Sequence, residues 1–309
     1  VLCAPPSTQL AHPSSNLPST TSLNLFGVRR PHAGTSVRLF PDIGMSLFSK
    51  HLKHDERTPR TGILTRASED TFAGMEETAR SAWAKGIFWE RGAHPQEPEL
   101  SRWLEEQNET HDFAGEQLLV APSRTITGCG SAGKQAWRTK DSWTVAGPQE
   151  IQESCVRLVA KLPEEWRETV RRDAEALAQM MVRMCPKARW LILRLEVIQN
   201  NACWRWHQDW YTGRAIITYV GPGTCAVDDA AVNFDRFNER SNEALVPNEE
   251  SVHQMQPNTV LLIKGNKWPG ISGNGLIHKS PDFRSNDDNR PLPKRFILKV
   301  DLSDEEVFM

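Results

Sequence analysis

After Pro186 the spacing of apolar residues changes from three-and-four to two, and this switch limits the folds open to the chain more than any other feature. Ahead of it, residues 146–186 predict two helices divided at Leu162-Pro163, because proline cannot continue a helix. The second helix carries Trp166, Val170, Ala174, Leu177, Met181 and Met184 on one stripe, with arginine and glutamate opposite. Methionines in such a stripe belong to a core rather than to a cofactor. Beyond Pro186, RWLILRLEVIQ alternates: Leu191, Leu193, Leu195 and Val197 share one face, and Ile192, Arg194, Glu196 and Ile198 share the other. The charged face needs either solvent or a polar cavity.

Further strands are expected at 215–220, 259–265, 275–278 and 295–301, joined by the glycine and proline turns of GPGT and WPGISGNG. Upstream, residues 74–90 and 95–109 read as helices, with Pro98 near the start of the second and Leu100, Trp103 and Leu104 on one stripe. Helices first and strands after predict an α+β domain: N-terminal helices packed on a double-stranded β-helix of the cupin or jelly-roll kind, rather than alternating βαβ units. The expected organisation is one catalytic domain over residues 71–309, helical over 71–186 and β-rich over 187–302. Residues 1–70 are rich in Ser, Thr, Pro and Arg and poor in acids until Glu69 and Asp70, which predicts a disordered tail. The same composition fits a leader for import into a plastid or mitochondrion; the other reading is an extension ahead of a start at Met45.

Lys and Arg total 37 against 39 Asp and Glu, a net charge of −2, so no global field draws the chain to nucleic acid or an anionic membrane. No apolar run approaches the roughly 18 residues of a membrane span. The six cysteines form no C-x-x-C pair, which points to a reducing, intracellular, cytoplasmic setting and to cysteines used as small hydrophobes.

The chemistry concentrates in CWRWHQDWY, residues 203–211. An extended backbone there puts Trp204, Trp206, Gln208 and Trp210 on one face and Arg205, His207, Asp209 and Tyr211 on the other. His207 and Asp209 can then grip one ion, a donor set suited to Fe(II), Mn(II) or Zn(II). The triplet alone is common, and His54-Asp55-Glu56 is a second example. A third ligand is expected from His278, at the end of the short strand GLIH, with His253 as the competitor. Two histidines and one carboxylate make the facial arrangement of non-haem iron oxygenases, which keeps positions open for a co-substrate and dioxygen. Such enzymes commonly hold 2-oxoglutarate through a basic residue, because a buried carboxylate needs a charge-assisted partner. Arg295 is the first candidate; Arg214, Lys264 and Arg284 are alternatives, and Tyr219 or Thr218 could add a hydroxyl. The competing readings are a zinc or copper protein drawing a soft ligand from Cys203 or Cys225, and a non-enzymatic module that binds through its tryptophans.

Over residues 190–302 the chain resembles the family known as domain of unknown function 1826. The resemblance rests on Cys203, His207, Asp209, Arg214, Thr218-Tyr219, Gly221 to Thr224, Lys264-Gly265, His278, Ser280-Pro281, Arg295 and Asp301, and extends plausibly to the helices from about residue 75. Trp206 stands where that family has Phe, Lys279 where it has Arg, and Cys225-Ala226 where an acid and a tryptophan are usual. The family brings no established activity. Taken together, the residues predict an Fe(II)-dependent, 2-oxoglutarate-using oxygenase acting on a small molecule or peptide, with neither nucleic acid nor membrane as partner.

Overall fold

The computed structural model describes residues 63–108, 110–120, 146–201, 203–239, 241–271, 273–283 and 292–304. These lie in one of the chain's two compact units, Arg57–Met309. The expected tail, as far as residue 62, lies outside the described residues. Strand β1 (Leu64–Arg66) falls ahead of the boundary expected at residue 71. Among the described residues no helix is long and apolar enough to cross a membrane.

Helix α1 (Phe72–Ala79) starts at Thr71, whose hydroxyl accepts a hydrogen bond from the Gly74 N–H, and it ends earlier than its spacing suggests. The helix expected through residue 90 is instead broken, and Gly86–Trp89 forms strand β2, parallel to β1. The reason is packing. A Cβ on Gly86 would lie 2.8 Å from a Leu276 methyl and 2.9 Å from a Leu64 methyl, so any larger residue would make both leucines shift, and Ile-Phe-Trp suits a sheet. Helix α2 (Glu97–Glu105) follows, with Pro98 in its first turn as expected. Strand β3 (Thr110–Leu119) has no clear alternation and was not expected; it is held by its antiparallel pairing to the next strand. Helices α3 (Pro148–Leu158) and α4 (Glu164–Met184) flank the Leu162-Pro163 break.

The second half supplies β4 (Trp190–Ile198), β5 (Gly213–Val220), β6 (Cys225–Ala226), the short helix α5 (Asn242–Leu245), β7 (His253–Gln254), β8 (Val260–Lys264), β9 (His278–Lys279) and β10 (Arg295–Ser303). The architecture is mixed, with helices on a large sheet ordered β1-β2-β8-β5-β10-β4-β3 and a smaller sheet ordered β7-β6-β9. Alternation sorts the faces of the large sheet. Leu193, Leu195 and Val197 of β4, Ile217 of β5 and Leu298 and Val300 of β10 share one buried cluster with Trp166, Val170, Leu177 and Met181 of α4. At about 1.5–3 kcal/mol per buried side chain, this face is a main source of stability. On the other face Ile198, Ile216, Ile263 and Ile297 pack with Ala226 and Met255, which belong to β6 and the turn after β7. The charged residues of β4 and β10 share that second face, between the sheets.

Candidate metal centre

His207 belongs to no strand, yet it pairs with β9. The His207 N–H donates to the His278 carbonyl and the His278 N–H to that of His207, each at 3.0 Å. Residues paired in this way send their side chains to the same side of a sheet, and the two rings lie with centroids 4.5 Å apart. The loop that follows is clamped from the end of β8: the Asn266 N–H donates to the Asp209 carbonyl at 2.9 Å and the Gly265 N–H to that of Thr212 at 3.1 Å. Gln208 Nε2 donates to the Gly275 carbonyl at 2.8 Å, so the glycine-rich loop is tied to the same segment.

This clamp requires glycine at 265, where a Cβ would sit 2.0 Å from the Tyr211 carbonyl oxygen. Gly265→Ala is expected to displace the 209–212 backbone, to cost about 1–3 kcal/mol, and to weaken metal binding. Thermal melts with and without metal check both effects.

The local fold of 203–211 differs from the expected alternating strand. Cys203 is left-handed, with φ 57°, and among the three tryptophans only Trp206 is buried, while Trp210 is exposed. Trp206 packs with Cys225, Val227, Leu245, Val246 and Ile277 rather than forming one wall with the others. Lys267 lies 5.4 Å over Trp210, and Arg205 lies 5.2 Å over Trp204. One buried indole and a crossed pair of histidines, not a three-indole face, aim the polar groups.

His207, Asp209 and His278 each offer a donor atom within 4.8 Å of the others. His207 Nε2 is 3.8 Å from Asp209 Oδ1, and His278 Nε2 is 3.5 Å from Asp209 Oδ2. Neighbouring donors around an ion with bonds near 2.0–2.2 Å stand roughly 3 Å apart, so small side-chain rotations close the set. The tautomers are fixed in the right sense. His207 Nδ1 lies 2.8 Å from the Arg205 carbonyl and His278 Nδ1 3.1 Å from that of Leu276. A carbonyl only accepts, so both Nδ1 atoms carry the proton and both Nε2 lone pairs face Asp209. Burial pushes His207 down to about 4, so its imidazole is neutral and ready to ligate. Asp209 Oδ2 is buried and makes no hydrogen bond. A carboxylate with a buried oxygen that makes no hydrogen bond, beside two imidazole lone pairs, fits a cation.

Arg214 lies at this site, but its guanidinium is fully engaged. Nε and Nη2 donate to Asp301 Oδ1 and Oδ2 at 2.6 and 3.0 Å, and Nη1 donates to Asp209 Oδ1 at 3.1 Å. Its other face stacks on Tyr211, 4.7 Å from the ring centroid. Nη1 is also 2.9 Å from Asp209 Oδ2 but lies outside hydrogen-bond geometry. Burial acts to raise the Asp209 carboxyl, and the Arg214 guanidinium acts against it, holding the group well below the usual carboxylate range. Arg214 therefore orients Asp209, one of the candidate donors, and is not free to anchor a co-substrate, as the sequence had allowed.

Tyr219 and Lys264 are corrected more strongly, because period two turns both to the helix-packed face. The Tyr219 hydroxyl donates to Asp173 Oδ2 of α4 at 2.9 Å, and Asp173 also receives Arg91 Nη1 at 2.7 Å. Lys264 Nζ donates to the Ser81 carbonyl at 2.6 Å, just past α1, and lies 5.5 Å over Trp268. Neither approaches the triad. His253, the competing ligand, stacks on Phe88 at 4.8 Å and is outside the three-donor set. Arg284 lies outside the described residues. Arg295 is on the face between the sheets, wholly buried, with Nη1 donating to Ser280 Oγ at 3.3 Å and Nε unpartnered. Ser280 is two residues from His278. Among the described residues no thiol joins the site: Cys203 is exposed and Cys155, Cys185 and Cys225 are buried, with burial raising all three, Cys155 and Cys185 to about 12.

Asp301, wholly buried between Arg214 and Arg194, joins this cluster although its spacing alone assigned it no role. Its signal was present: period two groups it with Arg295 and Lys299 on one face.

Among solved structures, a full-length Neurospora crassa protein in complex with alpha-KG is 11% identical, covering 75% of this chain and 80% of its own, with a TM-score of 0.32. A putative 2OG-Fe(II) oxygenase family protein from Caulobacter crescentus is 10% identical, over 80% of this chain and 87% of its own, with a TM-score of 0.35. A putative oxygenase from Shewanella oneidensis is 13% identical, over 78% and 90%, with a TM-score of 0.32. Overlaps this loose fix neither fold nor activity. No curated protein matches the chain. Residues 128–301, more than half of the sequence and the whole of the segment that carries the triad, match the model of a protein family of unknown function, DUF1826, and the chain belongs to that family.

Proposed function

We propose that this protein is a non-haem Fe(II)-dependent oxygenase that uses 2-oxoglutarate and is built on a double-stranded β-helix. The observation that carries the proposal is the donor set itself: two imidazoles with Nε2 free, one carboxylate with an oxygen that makes no hydrogen bond, and no fourth protein ligand among the described residues. Such a set suits a metal that must keep positions open for other ligands. The strand succession supports the β-helix, since β4, β5, β8 and β10 enter the large sheet while His207, β6, β7 and β9 enter the small one in between.

Bound iron would supply dioxygen activation. The chain's own residues do the rest. Asp209 brings one negative charge to a dication, the two carbonyl-tethered imidazoles keep their lone pairs inward, and Arg214 holds Asp209 in place. Arg295 is suited to the distal carboxylate of 2-oxoglutarate. Burial pushes its guanidinium down to about 10, so the chain carries a cation that an incoming anion would relieve. Ser280 stands beside it to add a hydroxyl.

The zinc or copper alternative draws no support from the thiols, since Cys203 and Cys225 are outside the donor set and burial works against the Cys225 thiolate.

Arg295→Met is the test of the co-substrate role. Replacing an underpaired buried cation by a packed apolar chain is expected to leave the ligand-free protein as stable as before or more so. It is also expected to raise the 2-oxoglutarate needed for half-saturation by about a hundredfold while Fe(II) still binds. A variant with lower stability and unchanged 2-oxoglutarate affinity would reduce Arg295 to a structural residue.

A further inference from the structure

On the face between the sheets, the central strands are accessible in one place. In β4 every residue is buried except Arg194, in β10 every residue is buried except Lys299, and in β5 the one accessible residue is Arg214. Arg194 and Lys299 are directly paired across the strands, and Arg214 is paired with Asp301, two residues along. Three cations thus stand close together on that face, and one of them, Arg214, reaches Asp209 of the triad.

Two of the three are already satisfied. Lys299 Nζ donates to Glu196 Oε2 at 2.5 Å, and Arg214 takes both oxygens of Asp301 and one of Asp209. Arg194 is different. Its nearest carboxylate atom, Asp301 Oδ2, is 3.8 Å from Nη1, beyond hydrogen-bond range, and is already the acceptor of Arg214. Its Nε is buried without a partner, although its side chain keeps 13% exposure. Its neighbour on β3 is Gly115, which brings no side chain to that position. Lys299 is matched by Glu196 and Arg214 by Asp301, with Asp209 turned to the candidate metal position, so the five-donor Arg194 guanidinium is left as a binding group for an oxyanion.

We propose that Arg194 is a substrate-binding residue, and that the substrate carries a carboxylate or phosphate that the Arg194 fork grips while the rest of the molecule extends to the metal. The assignment rests on the oxygenase reading above. It is distinct from the co-substrate role of Arg295, which stands at the opposite end of β10 from Asp301.

The test uses the full chain loaded with Mn(II) and saturating 2-oxoglutarate, with inorganic phosphate and acetate as probes. Bound Mn(II) shortens the phosphorus relaxation of phosphate, or the methyl relaxation of acetate, held near it. The wild type is expected to enhance relaxation of at least one probe. Arg194→Gln is expected to weaken that probe's binding by about tenfold or more, and Arg194→Lys, which keeps the charge but not the fork, is expected to retain part of it. Preference for phosphate or for acetate assigns the anion. A thermal melt of each variant reports folding independently; should Arg194→Gln not fold, Arg194→Lys carries the comparison. Enhancement that is equal in wild type and both variants overturns the assignment and leaves the metal site standing, as does a variant that weakens 2-oxoglutarate in place of the probe. A wild type that binds no Mn(II) removes the metal reading and this assignment with it.

Discussion

Replacing His278 by alanine is expected to strip the protein of Fe(II). The side chain supplies one of only three donors, so its loss should cost affinity by more than the roughly 10–100-fold that removing an outer hydrogen-bond partner costs. The fold should survive, because the pairing of His278 with His207 runs through backbone atoms. His207→Ala should behave in the same way with less structural risk, since His207 is only half-buried. Stability supplies a second readout. A ligand at a hundred times its dissociation constant stabilises the native state by about 2.7 kcal/mol, so the melting temperature of the wild type should rise with Fe(II) while that of either variant stays flat. Metal retained at full occupancy by both variants would mean that the triad does not bind it.

Asp301→Ala is expected to be the most destabilising single change in the strand half, by about 3–5 kcal/mol. Asp301 is fully buried, receives two hydrogen bonds from Arg214 and lies near Arg194. Its removal leaves two guanidinium groups on an inner face with the carboxylates of Asp209 and Glu196 already committed. Arg214 would then turn wholly to Asp209 and compete with the cation, so metal affinity should fall along with stability. Urea denaturation measures the first effect through a lower midpoint at unchanged slope. Asp301→Asn, which keeps an acceptor, should lie between. A loss of stability below about 1 kcal/mol would show that the Arg214 and Asp301 pair is not a buttress.

The sequence disclosed the parts of this molecule whose physics is local. Period-two spacing marked β4 and β10 and period 3.6 marked α4, because each element buries one face along its whole length. His207, Asp209 and His278 were legible for a related reason: a donor pair two apart and a histidine at a strand end are local patterns. What stayed hidden depends on partners distant in sequence. Gly86–Trp89 reads as the end of a helix until β1 and β8 are placed on either side of it. β3 is an edge strand held by pairing with β4 rather than by its own pattern. The engagement of Arg214 follows from the register that sets it opposite Asp301, and that register includes a shift between Phe296 and Ile297 which no local spacing announces. Tyr219 and Lys264 were misassigned because alternation tells which residues share a face, but not which face looks toward the site.

The most direct measurement of the central claim is the oxygen-dependent conversion of 2-oxoglutarate to succinate by the purified full chain, loaded anaerobically with Fe(II) and then exposed to air with ascorbate. The expected result is succinate formed in step with oxygen consumed even without a substrate, dependent on Fe(II), and absent in His207→Ala. Protein that holds its metal yet leaves 2-oxoglutarate untouched under these conditions, with or without candidate carboxylate and phosphate substrates, would contradict the account and leave a metal-binding protein without this chemistry.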